Sequence, residues 1–412
     1  MAENYKGMNY LRTKLAEKRI RVLVRYKYYN MKDIERDSSI AIPDSVRDRY
    51  KSAVGWCAKA VDSLSNRLTF RGFGNDNFDL QHIFDMNNKD VLFDSAFLGA
   101  LISSCDFIYI SAGEDGFPRL QVIDGSNATG IIDTVTNMLQ EGYAVLERDD
   151  NGFPISEAYF VKGRTFFYQK GMKPYSIPNV APYPLLVPVI YRPDASRPFG
   201  HSRITRACMD YQRAAKRTLE RTEVSAEFYS YPQKYVTGLS QDAEPLDKWK
   251  ASMSSMIEFE KDEDGDSPTV GSFTQQSMEP HLSELRSKAS MFAGETGLTL
   301  DDLGWPSDNP SSADAIKASH ENLYLCATKA QHSFGVGIIN AGFLAACVRD
   351  NFTFKRQQIY LTKALWEPVF RPDSAGLSGI GDGAIKLNQA VPGYIGKENL
   401  RELTGIPSDT TE

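Results

Sequence analysis

The sequence predicts an α+β protein built from several distinct parts, and three observations carry that reading. Short β-prone runs crowd residues 106–192, a long charged helix follows over 201–230, and a second long and largely apolar helix covers 312–347. The chain has 412 residues, enough for two to four units at ~100–200 residues each.

Residues 1–110 are expected to be mainly helical. Pro43 and Asp44 open a stretch with apolar positions at Val46, Tyr50, Val54, Cys57, Ala58 and Val61. That spacing is helical, and proline is tolerated in a first helical turn. Another helical stretch runs from Asn88 to Cys105.

The β-prone runs are 107–110, 120–123, 142–146, 157–161 and 164–168. Glu114-Asp115-Gly116 and Asp150-Asn151-Gly152 separate them as turns, so antiparallel hairpins are expected. Seven prolines between Pro174 and Pro198 then exclude one regular element.

Over 201–230, Ile204, Cys208, Tyr211, Ala215, Leu219 and Thr222 form a narrow apolar stripe. Arg203, Arg206, Arg213, Lys216, Arg217 and Arg221 fall on the other faces. So thin a stripe suits a helix that packs beside copies of itself, the alternative being a surface helix of a large domain. Asp210 and Glu220 supply acids that alternate with the arginines Arg203, Arg206, Arg213 and Arg217, as an interface between identical helices needs.

Residues 231–279 read as a small α+β insertion, with strands near 234–236 and 270–273, Trp249 on a short helix, and an acidic loop holding Glu258, Glu260 and Asp264. A helix from Pro280 ends near Gly297. The loop 298–311 contains Asp301, Asp302, Trp305 and Asp308. Ser311 and Asp314 have capping-box spacing ahead of the long helix. Ser378 to Gly383 reads as a glycine-rich turn, and a short helix spans 397–403.

Chemistry is sparse. None of the five histidines pairs at i, i+4, no cysteine stands at metal-ligand spacing, and five scattered cysteines give no disulfide frame. Gly379-Ile380-Gly381-Asp382-Gly383 lacks the lysine and hydroxyl residue of a phosphate loop. No catalytic residue, metal or cofactor is expected. The charged N-terminal 25 residues contain no signal-peptide core, and the apolar run at 335–348 is too short to cross a bilayer. Net charge is −6, which disfavours a protein that grips DNA through a basic surplus.

The order of elements, with Arg197-Pro198-Phe199-Gly200-His201-Ser202-Arg203 standing before the long helix, resembles the portal proteins of long-tailed phages. The resemblance implies a wing at 1–200, a stem helix at 201–230 and a clip at 231–279. It implies a second stem helix at 280–297, a tunnel loop at 298–311, a long helix and wing return at 312–378, and a short crown at 379–412. It further implies a ring, commonly of twelve copies, at one capsid vertex, through which double-stranded DNA is packaged and ejected. Terminase, head–tail adaptor, capsid and scaffolding proteins would be its partners, with no membrane involved. It would reside in the virion, and in the host cytoplasm during assembly. Asp301, Asp302, Trp305 and Asp308 would face the channel. Trp249, Glu258, Glu260 and Asp264 would form the clip's partner surface. A different ring-forming phage protein, or a nucleotide-binding enzyme using 379–383, are the alternatives.

Overall fold

A computed structural model describes residues 5–32, 51–230, 234–237, 269–272, 277–306, 318–372 and 374–406. Contacts divide the chain into two units. One comprises 1–33, 55–209 and 294–412, and the other comprises 34–54 and 210–293.

In the first unit, helix α1 (Met8–Tyr29) buries Leu11, Leu15, Val22 and Tyr28 on one face. Leu11 and Leu15 pack with Tyr143 and Val145. Helix α2 (Trp56–Ser65) buries five of its ten residues. Strand β1 (Phe70–Gly74) and the short helix α3 (Leu80–Asp85) follow. Asp76 accepts from the Leu80 and Gln81 amides at 2.9 and 2.8 Å and so starts α3. Helix α4 (Lys89–Ser103) matches the expected helix over 88–105 to within two residues.

The expected antiparallel region is present, and it is two sheets. One has the order β3-β2-β9, from β2 (Cys105–Ala112), β3 (Pro118–Ile123) and β9 (Leu186–Ile190). The other has the order β4-β5-β6-β7-β8, from β4 (Ala128–Ile132), β5 (Leu139–Arg148), β6 (Pro154–Val161), β7 (Arg164–Gln169) and β8 (Tyr175–Pro178). The proline-rich crossing therefore yields two short strands, β8 and β9. Pro188 is tolerated because β9 is an edge strand.

Helix α7 (Glu321–Arg349) is the central helix of this unit, with sixteen buried residues. It packs on β9 and β2, and α4 also packs on β2. The two helices meet where Phe97 stacks on Phe334 with ring centroids 4.9 Å apart. Trp366 closes the cluster from β12 (Lys363–Trp366), which pairs antiparallel with β1. Full burial of Phe334 contributes ~2–3 kcal/mol by area. The expected helix over 312–347 is described from 321 to 349, and its capping residues Ser311 and Asp314 lie outside the described residues.

One expectation fails here. The glycine-rich stretch 378–383 is not a turn: helix α8 (Ser374–Ala390) runs through it. Helical propensity of the flanking residues outweighs the ~1 kcal/mol that each glycine costs. Helix α9 (Lys397–Thr404) follows and contacts α8.

The second unit holds most of α5 (Arg206–Ser230) and of α6 (Glu279–Thr296), together with the antiparallel pair β10 (Lys234–Thr237) and β11 (Thr269–Ser272). Buried positions of α5 are Cys208, Gln212, Ala215 and Thr218, at intervals of four and three. Tyr211, Leu219 and Thr222 of the expected stripe are half-buried. The stripe is thus narrow, as its sequence suggested, but displaced toward two polar side chains.

Candidate functional site

The residues that carried the resemblance fold into a junction just ahead of α5. Asp194 opens it. Its carboxylate accepts from the Ser196 and Arg197 amides at 2.8 and 2.7 Å and lies 2.6 Å from Nε2 of His201. His201 first, then Ser196 and the Arg197 amide, hold this exposed carboxyl well below the usual carboxylate range.

Gly200 has φ +73°, and a Cβ there would fall 2.0 Å from the Tyr191 carbonyl oxygen. Only glycine fits such a position. The turn lets the His201 amide donate to that same carbonyl at 2.9 Å. Ser202 is buried, donates to the Ile102 carbonyl at 2.7 Å and accepts from the Ile204 amide at 3.0 Å.

Arg203 departs from expectation. The sequence places it on a face shared between copies, yet it is 6% exposed and bound within its own chain. Its amide donates to the Leu101 carbonyl at 2.8 Å. Its guanidinium donates to the Ala60 carbonyl at 3.3 Å, to the Thr296 carbonyl, and to Cys326 Sγ at 3.9 Å. One side chain thereby ties α2, the end of α6 and α7 together. Thr296 is the last residue of α6, where unpaired carbonyls and the negative end of the helix favour a cation. Thr205 adds a bond to Glu295 at 2.8 Å.

The remaining stem positions lie on α5. Asp210 and Arg213 form an ion pair one turn apart. Arg217 is exposed, while Glu220 is half-buried. Arg206 opens the helix.

The loop before α7 is described from Leu298 to Pro306. A single turn of 3-10 helix covers Asp301–Leu303, and Gly304 ends it at φ +93°. Asp302 accepts from the Thr299 amide and hydroxyl at 3.0 and 2.9 Å, and its own amide donates to Thr299 Oγ1 at 3.2 Å. Trp305 is half-buried, edge-on to Trp56 with ring centroids 6.1 Å apart. Asp301 is exposed. Of the three expected channel residues that are described, Asp301 presents a side chain without such contacts, and Asp308 lies outside the described residues. So do Trp249, Glu258, Glu260 and Asp264.

The sequence reading missed one buried charged cluster. Ser103 Oγ donates to Asp106 at 2.8 Å, and the Gly125 amide donates to it at 2.9 Å. Tyr26 donates to Asp124 at 2.6 Å. Burial and then the charge of Asp124 push Asp106 up to about 8. Lys18 is lowered by burial; its Nζ donates to the Ala128 carbonyl at 3.3 Å and sits 4.9 Å over the Phe107 ring. The only sequence signal was a lysine on the inward side of an amphipathic helix. Among the described residues no group of three or more His, Cys, Asp or Glu is placed to hold a metal ion.

With the geometry in view, the chain is similar to curated portal proteins of tailed phages, which bears out the resemblance read from its order of elements. The portal protein of Mycobacterium phage L5 is 22% identical over 397 residues, covering 91% of this chain and 80% of that protein. The portal protein of Mycobacterium phage D29 is 25% identical over 228 residues, covering 53% of this chain and 45% of that one. No family model matches. Among solved structures, a chain in the neck of a native gene transfer agent particle computed with C12 symmetry aligns over 88% of this chain and 93% of its own length, at TM-score 0.43 and 13% identity. A chain in the virion of that kind of particle aligns over 93% of this chain and 99% of its own length, at TM-score 0.40 and 12% identity.

Proposed function

We propose that this chain is one subunit of a portal, a ring at a single capsid vertex through which double-stranded DNA enters and leaves. The observation that carries the reading is similarity to a portal protein over 91% of the chain. The junction at 194–205 supports it, because it anchors one end of a long charged helix in a folded unit.

In this reading twelve copies close the ring. A subunit that closes a ring uses a heterologous interface, one patch on a copy meeting a different patch on the next. The exposed Arg217 with Arg206, Arg213, Asp210 and Glu220 on α5 form part of it. The loop 298–311 reaches the bore, with Asp301 and Asp308 toward DNA. Acids there repel phosphates and keep the duplex from sticking, in keeping with a net charge of −6. Trp249, Glu258, Glu260 and Asp264 meet terminase during filling and the head–tail adaptor afterwards. Capsid and scaffolding proteins surround the ring, first in the host cytoplasm and then in the virion. The work is guidance of DNA and not catalysis. The nucleotide-enzyme alternative loses its basis, since its glycine loop is helix α8.

The test is placement and partnership. Gold-labelled antibody against the chain should mark one vertex per particle, and purified chain should capture terminase. Labels at many sites, or rings that ignore terminase, would point to a different ring-forming phage protein.

A further inference from the structure

Two exposed patches in the first unit have no partner among the described residues, and their characters are opposite. The first lies on α1. Seven Lys and Arg stand against one Glu within Met8–Tyr29, in a chain of net charge −6. Several of these cations are engaged: Arg12 pairs with Glu157, Lys14 and Lys18 reach the Gly130 and Ala128 carbonyls, and Arg25 reaches the Ser103 carbonyl. Arg21 and Lys27 are exposed and meet no acid among the described residues. Beside them Ile20 is 69% exposed and Leu23 and Val24 are each 38% exposed. Positions 20, 23, 24 and 27 follow i, i+3, i+4, i+7 and share one face.

The second patch surrounds the start of α4. Met86 is 63% and Val91 is 73% exposed. Asp90 and Asp94 flank Val91 and are exposed, with no cation bound to either among the described residues. The nearby Asp85 is already paired with Lys89 at 2.6 Å. Asp90 lies in the first helical turn, where the helix dipole favours it. Asp94 lies a turn further in, and like charges at i, i+4 destabilise a helix.

The patches are well separated. Arg25 binds the Ser103 carbonyl at the far end of α4, and Val91 is ~18 Å back along that helix at ~1.5 Å per residue. They therefore do not meet within one copy. Each mixes exposed apolar side chains with unpaired charge of one sign, and the signs are complementary. Such patches on a folded surface mark contact sites.

We propose that the Ile20/Leu23/Val24 face of α1, with Arg21 and Lys27, docks on the Met86/Val91 surface of the next copy, with Asp90 and Asp94. The proposal rests on the ring reading and adds to it a contact made by two different patches of one chain.

The test uses the full chain and mass photometry. Arg21→Glu with Lys27→Glu should lower the ring fraction about tenfold, because two acidic patches then face each other. Asp90→Lys with Asp94→Lys should do the same with two basic patches. All four substitutions in one chain should restore assembly, because the signs are exchanged and again complementary. All four positions are exposed, so unfolding midpoints should shift only slightly, by the loss of the helix-dipole contribution at Asp90. In a second arm, Ile20→Cys with Val91→Cys should oxidise to a ladder of covalent multimers; the native cysteines are buried or half-buried. Rings indifferent to every reversal, a four-fold variant no better than the pairs, or a covalent monomer alone would overturn this contact while leaving the ring intact. Variants that assemble normally but fail to enter particles would assign the α1 face to another virion protein. A wild-type chain that stays monomeric would overturn both this contact and the ring reading.

Discussion

Arg203 donates a hydrogen bond from its guanidinium to the carbonyl of Thr296, the last residue of α6. The same side chain reaches Ala60 in α2 and Cys326 in α7. A residue that reads as surface charge is thus a buried tie. Arg203→Met should lower unfolding stability by about 2–4 kcal/mol, by leaving buried acceptors without their donor. Urea unfolding followed by tryptophan fluorescence measures this. Arg203→Lys should recover only part of the loss, since one ammonium cannot reproduce the fork. Wild-type stability in Arg203→Met would show that the bonds add nothing.

Gly200 and Gly116 make a matched pair. Both have positive φ, +73° and +77°, but only Gly200 would drive a Cβ into a carbonyl oxygen. Gly116→Ala should cost about 1 kcal/mol for the left-handed backbone alone. Gly200→Ala should cost clearly more, or yield insoluble chain, because the backbone of Tyr191 must move. Equal midpoints for the two variants would contradict the crowding at the junction.

Asp106 gives a pH signature. Burial, then Asp124, raises its folded pKa to about 8, against ~4 for an unfolded aspartate. The folded state therefore binds more protons than the unfolded state between these values. Its contribution to stability is fully present below about pH 4 and is lost as pH rises through about 8. Asp106→Asn removes this dependence. The stability of the variant relative to wild type should rise across that window and level off above it. A difference that is flat with pH would mean that Asp106 is ionised throughout.

Helix α8 turns a failed sequence reading into a forecast. A Cβ at Gly379, Gly381 or Gly383 would meet nothing within 4 Å, and the backbone there is helical. Each Gly→Ala change should stabilise by about 0.5–1 kcal/mol. Thermal denaturation of the triple variant would show a raised midpoint. A lowered midpoint would mean that the stretch needs glycine after all.

The loop before α7 separates two roles. Shortening the chain between Gly304 and Ser311 should leave ring assembly intact and impair DNA packaging or retention. Failed assembly would instead make the loop an interface.

What the sequence disclosed follows from the range of the forces involved. Helices α4, α7 and α9 and most hairpin strands were legible because side-chain period and turn residues act locally. Strand β1 was not, because its partner β12 is about 290 residues away along the chain and neither strand is long enough to show a period. The glycines of 379–383 suggested a turn because propensity was read residue by residue, while α8 is decided by its full length. At the candidate site, the Gly200-x-Ser202 spacing pointed to the right place, but the inward turn of Arg203 depends on α2, α6 and α7 converging there. The local bonding of Asp302 is legible in the sequence. Thr299-x-x-Asp302 has capping-box spacing, and the Asp302 carboxylate does bond the Thr299 amide and hydroxyl.

The central claim is a ring of identical subunits with a bore. Electron-microscope images of the purified chain viewed down the symmetry axis test it most directly. The account predicts closed rings of about twelve copies around a hole wide enough for duplex DNA. Monomers alone, across salt and concentration, would contradict it.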